Sequence, residues 1–149
     1  MSRNDTAIDT NILLYSLNSE APEFAAARAF LDGRKNDSNT VLSELVLVEL
    51  YVLLRNQAVV RSPLSAPAAA AIIERFRRHP RWQIVDHDPE VMSDVWRRAA
   101  LPGFARNRIF DSRLALGLVR RGVTRFATRN VKDFKNMGFE EVWDPLVVS

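Results

Sequence analysis

Short apolar runs alternate with longer helical stretches along the chain, and this alternation narrows the choice of fold more than any other feature. Asp5–Asp9 reads as a short buried strand, with a helix over Asn11–Asn18 behind it. Ala21–Arg34 reads as an amphipathic helix that stops near Gly33. Asn39–Leu42 is a short strand, and Ser43–Asn56 a helix with Ser43 as its N-cap. Arg61–Pro67 is a connection, Ala66–Arg78 a helix and Trp82–Val85 a strand. Asp88-Pro89-Glu90 opens a helix to about Ala100, with Pro in its first turn. After a loop at 101–107, Asp111 starts a helix to about Arg121. Val123–Thr128 is a strand, 129–138 a loop and Val142-Trp143 a short last strand. Strands that alternate with helices predict an α/β fold with a mainly parallel central sheet and helices on both of its faces.

A chain of 149 residues is expected to form one domain over 1–149. It has no cysteine, which excludes disulfides and thiolate metal sites. No apolar run approaches the roughly 20 residues of a membrane span, and the N-terminus lacks the apolar core of a signal peptide. The expected place is therefore the cytoplasm, with no membrane partner.

The net charge is +3, unevenly spread. Between 97 and 135 the bases are Arg97, Arg98, Arg106, Arg108, Arg113, Arg120, Arg121, Arg125, Arg129, Lys132 and Lys135, against only Asp111 and Asp133. A block of this kind points to a polyanion such as RNA, or else to a solvated helix face. His79 and His87 flank the predicted strand at Trp82–Val85 and read as surface residues at loop ends.

Asp9 falls at the carboxyl end of the first strand, where open α/β sheets bind their ligands; an Asp there also caps helices. Glu49 lies near the centre of an apolar face formed by Leu42, Leu45, Val46, Val52 and Leu53, while Leu47, Tyr51 and Leu54 make the opposite face apolar too. Such a helix is buried on both sides or forms a subunit contact, and an unpaired Glu on it is costly. Asp111 heads a helix and also reads as a cap. Carboxylates gathered at one sheet edge repel each other. A hard cation, Mg²⁺ or Mn²⁺, relieves that repulsion and takes oxygen ligands.

Four stretches, Ile8-Asp9-Thr10-Asn11, Val48-Glu49-Leu50, Phe110-Asp111-Ser112-Arg113-Leu114-Ala115 and Thr128-Arg129-Asn130-Val131-Lys132-Asp133-Phe134, occur in one order across nearly the whole chain. Together they resemble PIN-domain ribonucleases, specifically the VapC-type toxins of bacterial toxin–antitoxin pairs. The resemblance implies a PIN-like fold and an acidic triad of Asp9, Glu49 and Asp111. It implies a fourth group at Asn130 or Asp133, the first through its amide oxygen, the second through a water. Asp9, Glu49, Asp111 and Asp133 are thus the candidate catalytic acids, and Asp9, Asp111, Glu49 and Asn130 the candidate metal ligands. Thr10, Asn11 and Thr128 fit supporting hydrogen bonds.

The implied activity is endoribonucleolytic, with a metal-activated water attacking the phosphodiester to leave a 5′-phosphate and a 3′-hydroxyl. Arg106, Arg108, Arg113, Arg129 and Lys132 are candidates to hold the RNA backbone, tRNA or ribosomal RNA being the expected substrate. The same resemblance implies a VapB-like antitoxin and a homodimer, with the second apolar face of Ser43–Asn56 or the stretch Ala66–Phe76 as the contact. The alternative is a non-catalytic PIN-like module that binds RNA or protein, its acids serving as caps and ion pairs. An Asp-nucleophile phosphatase would want a second acid two residues after Asp9, and position 11 is Asn.

Overall fold

A computed structural model describes residues 4–147. In chain order its elements are β1 (Asp5–Ile8), α1 (Thr10–Leu17), α2 (Phe24–Arg34), β2 (Thr40–Ser43), α3 (Glu44–Leu54) and α4 (Ala66–Arg77). Then come β3 (Gln83–Val85), a 3₁₀ turn (Pro89–Val91), α5 (Met92–Ala99), α6 (Arg108–Arg120), β4 (Val123–Ala127), α7 (Val131–Phe134) and β5 (Glu141–Trp143). The strands form one sheet in the order β3-β2-β1-β4-β5, every neighbouring pair parallel. The first crossovers carry the chain outward from β1 to β2 and β3; the next returns it to the other side of β1. Strand order thus reverses beside β1, the place where an open α/β sheet leaves a crevice at its carboxyl edge.

β1 and β2 are buried along their whole length. Because successive side chains point to opposite faces, both faces of the sheet must be covered. Ile8, Val41, Leu42 and Phe126 from the strands pack with Ile12, Leu13, Val46, Leu47, Leu50 and Leu118 from α1, α3 and α6. Phe126 meets Phe134 edge-on at 4.7 Å and stacks on Phe139 at 5.1 Å. That aromatic trio ties β4 to the segment leading into β5.

Local chemistry sets most boundaries. The Ser43 hydroxyl accepts from the Leu45 amide at 3.1 Å and starts α3. Ser65 does the same for α4 through the Ala68 amide. Gly122, at φ +93°, ends α6 in the left-handed region that a residue with a Cβ enters only with strain.

Several expectations shift. Asp9 is not the end of the first strand but the cap of α1, its side chain accepting from the Thr10 amide. α2 begins at Phe24, three residues late, because Ala21 supplies a turn whose carbonyl receives the Phe24 amide. The helix at Asp88 opens as a 3₁₀ turn before becoming α5. α6 starts at Arg108, so Asp111 lies inside its first turn and does not cap it. The loop at 129–138 holds the four-residue α7. His87 is half-buried, lining a small cleft together with Val85, Arg113 and Leu114, and is not an open surface residue. His79 stacks on Trp82 at 4.0 Å.

Candidate metal centre at the carboxyl edge of the sheet

A cavity of about 540 Å³ opens at the carboxyl ends of β1 and β4. Asp9, Thr10 and Asn11 enter it from the β1–α1 junction, Val48 and Glu49 from α3, and Asn107, Phe110, Asp111 and Arg113 from the start of α6. Asn130 enters from the segment after β4. Residues more than a hundred positions apart meet here because β1 and β4 are neighbours in the sheet.

Asp9 is held from two sides. Its Oδ1 accepts from the Thr10 amide at 2.8 Å and its Oδ2 from the Thr128 hydroxyl at 2.7 Å. The Asp9 amide in turn donates to the Ala127 carbonyl at 2.9 Å, and the Thr128 amide to the Trp143 carbonyl at 2.9 Å. The carboxylate is only 6% exposed. Burial pushes its pKa up to about 6; the two hydrogen bonds oppose this, and the charges of Glu49 and Asp111 add to it.

Glu49 does not lie between two packed surfaces as its apolar neighbours suggest. Leu47, Leu50 and Leu54 are buried in the chain's own core, whereas Val48 and Val52 are 63% and 57% exposed. The expected second apolar face is thus the inner one, and Glu49 stands on the cavity rim. Thr10 donates its hydroxyl to Glu49 Oε2 at 3.3 Å. Partial burial raises the Glu49 pKa, Thr10 opposes that, and Asp111 raises it further. Asp111 is raised by burial and by the charge of Asp133, with Arg108 pulling it down.

The remaining candidates separate. Asn130 lines the cavity, and its amide donates to the Thr128 hydroxyl at 2.9 Å, so one threonine positions both Asp9 and Asn130. Asp133 does not line it; Arg108 holds its carboxylate at 3.5 Å and donates to its carbonyl. Asn11 accepts from the Arg129 amide at 3.3 Å. Arg129 itself is tied to Asp144 at 2.9 Å, lies 3.8 Å from Glu23 and stands over the Tyr15 ring. Arg106, Arg113 and Lys132 make no ion pair among the described residues, and Arg113 reaches the cavity. Phe110, 66% exposed on the cavity wall, is a lining residue that the sequence alone does not single out. Its position before Asp111 was the available signal.

The donors are carboxylates, an amide and hydroxyls, a set that suits a hard divalent cation. Among the described residues no three acidic, histidine or cysteine side chains are drawn close enough to enclose an ion by themselves. An ion here would be held by one or two carboxylates at a time and by water, the habit of Mg²⁺. Burial is the main cause of the raised pKa values of Asp9 and Glu49, and the neighbouring acids add to it, Glu49 and Asp111 at Asp9 and Asp111 at Glu49, a like charge that a cation would relieve.

A model of the PIN domain matches residues 6–140. Over 140 residues the chain is 51% identical to Ribonuclease VapC24 of Mycobacterium tuberculosis, covering 94% of this chain and 96% of that protein. The fold is similar to the crystal structure of Mycobacterium tuberculosis VapC20, a sarcin–ricin loop cleaving toxin, with a TM-score of 0.63 at 15% identity, over 91% of this chain and 96% of that one. It is also similar to DNA-bound VapBC from Salmonella typhimurium, with a TM-score of 0.59 at 18% identity, over 97% and 99% of the two chains. With that match running from β1 nearly to β5, the chain belongs to the PIN-domain family, among its VapC ribonucleases.

Proposed function

We propose that the protein is a metal-dependent endoribonuclease toxin, held in check by a VapB-like antitoxin. The convergence of Asp9, Glu49, Asp111 and Asn130 on one cavity carries this reading. The 51% identity to a VapC ribonuclease supports RNA as the substrate. The likeness to VapBC supports the antitoxin.

Asp9, Glu49 and Asp111, one or two at a time, with Asn130 and water, would hold Mg²⁺ or Mn²⁺, which would supply an acidified water and stabilise charge developing on the phosphate. The chain's own groups do the rest. Thr128 and the Thr10 amide fix both oxygens of Asp9, so the carboxylate need not reorganise when substrate arrives. Thr10 orients Glu49 across the cavity. Arg113, without an acid partner among the described residues and present on the cavity wall, meets the phosphate oxygens. Asp133 acts on Asp111 by its charge and restrains Arg108. Assembly as a homodimer belongs to the same reading, with exposed Val48 and Val52 on α3 as its apolar contact.

The test is cleavage of mixed tRNA and ribosomal RNA in Mg²⁺ or Mn²⁺, with wild type beside Asp9→Asn. Discrete cuts that require the metal and fall by at least about 10²-fold in the variant support the enzyme. RNA retained but uncut, equally in both proteins, sinks it in favour of a binding module.

A further inference from the structure

α6 turns two adjacent faces toward two different spaces. Asn107, Phe110, Asp111 and Leu114 line the acidic cavity. Arg108 and Ser112, one turn apart and set round the helix by about 100° from Asn107 and Asp111, line a second cavity of about 230 Å³. The segment after β4 is divided in the same way, with Phe134 in the first cavity and Lys135 in the second. The two spaces therefore share one wall.

The second cavity gathers Arg98, Arg108 and Lys135, and no acidic residue lines it. Two of these cations are uncommitted. Arg98 has no ion pair among the described residues and donates to the Met137 sulfur at 3.9 Å, whereas its neighbour Arg97 is bound by Asp94 at 2.5 Å. Lys135 has no ion pair among the described residues. Arg108 is the one that Asp133 holds. Ser112, also on the wall, is fully buried, and its hydroxyl has no hydrogen-bond partner among the described residues. A buried donor left unpaired is costly and calls for a partner. Positive charge, a spare hydroxyl donor and apolar sides of Leu101 and Met137 make a pocket for a compact oxyanion.

We propose that this cavity is a phosphate subsite, which takes a backbone phosphate of the RNA next along the strand from the one held at the acidic cavity. It rests on the ribonuclease reading above. Arg98 and Lys135 hold the phosphate oxygens and Ser112 donates its hydroxyl to one of them. Arg108, at the shared wall, faces both spaces in its electrostatic reach, since its charge is felt at Asp111. RNA fits better than an acidic peptide because this cavity adjoins the acidic one, with Asn107 beside Arg108 and Phe134 beside Lys135 on their common wall.

The experiment is binding of a short labelled single-stranded RNA in EDTA, so that nothing is cut, between about 50 and 200 mM KCl. Wild type is compared with Arg98→Ala, Lys135→Ala and Arg97→Ala, each checked by circular dichroism. A subsite predicts that Arg98→Ala and Lys135→Ala each flatten the plot of log affinity against log salt by about 0.7, while Arg97→Ala does not. Equal losses in all three variants would mean a diffuse field and overturn the subsite, as would three unchanged slopes. Weaker binding of a polyglutamate peptide in the two variants, with the RNA slope intact, would make it a protein site and also overturn it. The readout does not depend on cutting. Altered slopes in a protein that never cleaves would remove the ribonuclease reading alone; cleavage with unaltered slopes would remove the subsite alone.

Discussion

Asp9 serves two purposes that pull against each other. As the cap of α1 it sits where backbone amides favour a negative charge, yet it is nearly sealed from water beside two further acids. With its folded pKa near 6 and an unfolded value near 3.9, the folded protein binds this proton more tightly than the unfolded chain. The stabilising contribution is therefore full below about pH 4 and lost as pH rises through 6. Metal-free protein should lose on the order of 2–3 kcal/mol of stability across that window, read by urea denaturation in EDTA. Asp9→Asn should remove the Asp9 share of the loss and leave the smaller share of Glu49 and Asp111, and added Mg²⁺ should restore stability above pH 6 by binding only the folded form. Thr128→Val keeps the shape but removes the donor to Asp9 and the acceptor for the Asn130 amide. It should cost about 1–3 kcal/mol and reduce cleavage in the same preparation. At this scale the sequence singled out Asp9 and Glu49, which interrupt apolar runs, while Asp111 read as a helix start; the fold brings all three to one cavity. Pairings such as Arg129 with Asp144 and Arg108 with Asp133 were not legible, because partners distant in the chain are chosen by the fold.

α3 and α6 show what decides an element's ends and faces. Ser43 was readable as a cap because a hydroxyl directly precedes an apolar helix, and it makes that hydrogen bond. Ser43→Ala should lower stability by about 0.5–2 kcal/mol in urea titration and leave cleavage by the folded protein intact. α6 was harder to bound. It starts at Arg108 behind Asn107, which makes no capping hydrogen bond, so Asp111 looked like the natural beginning. α7, only four residues between Asn130 and Lys135, is too short to show a period. For α3 the pattern was apolar all round, and only the packed structure shows which side is core and which carries Glu49.

Across the whole molecule the parallel sheet was legible from alternation alone, though the order of its strands was not, because nothing local tells β4 to return beside β1. The basic block likewise looks uniform in sequence and is not so in space. Arg97, Arg108, Arg120, Arg125 and Arg129 are committed to acids of the same chain. Arg98, Arg106, Arg113, Arg121, Lys132 and Lys135 make no ion pair among the described residues. Were each of these to take one phosphate of a single strand, log affinity would fall with log salt at a slope of about −4 at the steepest. A measured slope near −7 or beyond would mean that the committed arginines abandon their partners on binding.

The neighbourhood of β1 and β4 also sets a clock. Asp9 has no second anchor until Thr128 has been added to the chain and β4 lies down beside β1. At about 5–20 residues per second, roughly 6 to 24 seconds separate the synthesis of those two residues. Through that interval a growing chain carries its acids apart, with the edge of β1 uncovered, and the cleft comes into being only as translation reaches the strands that close it.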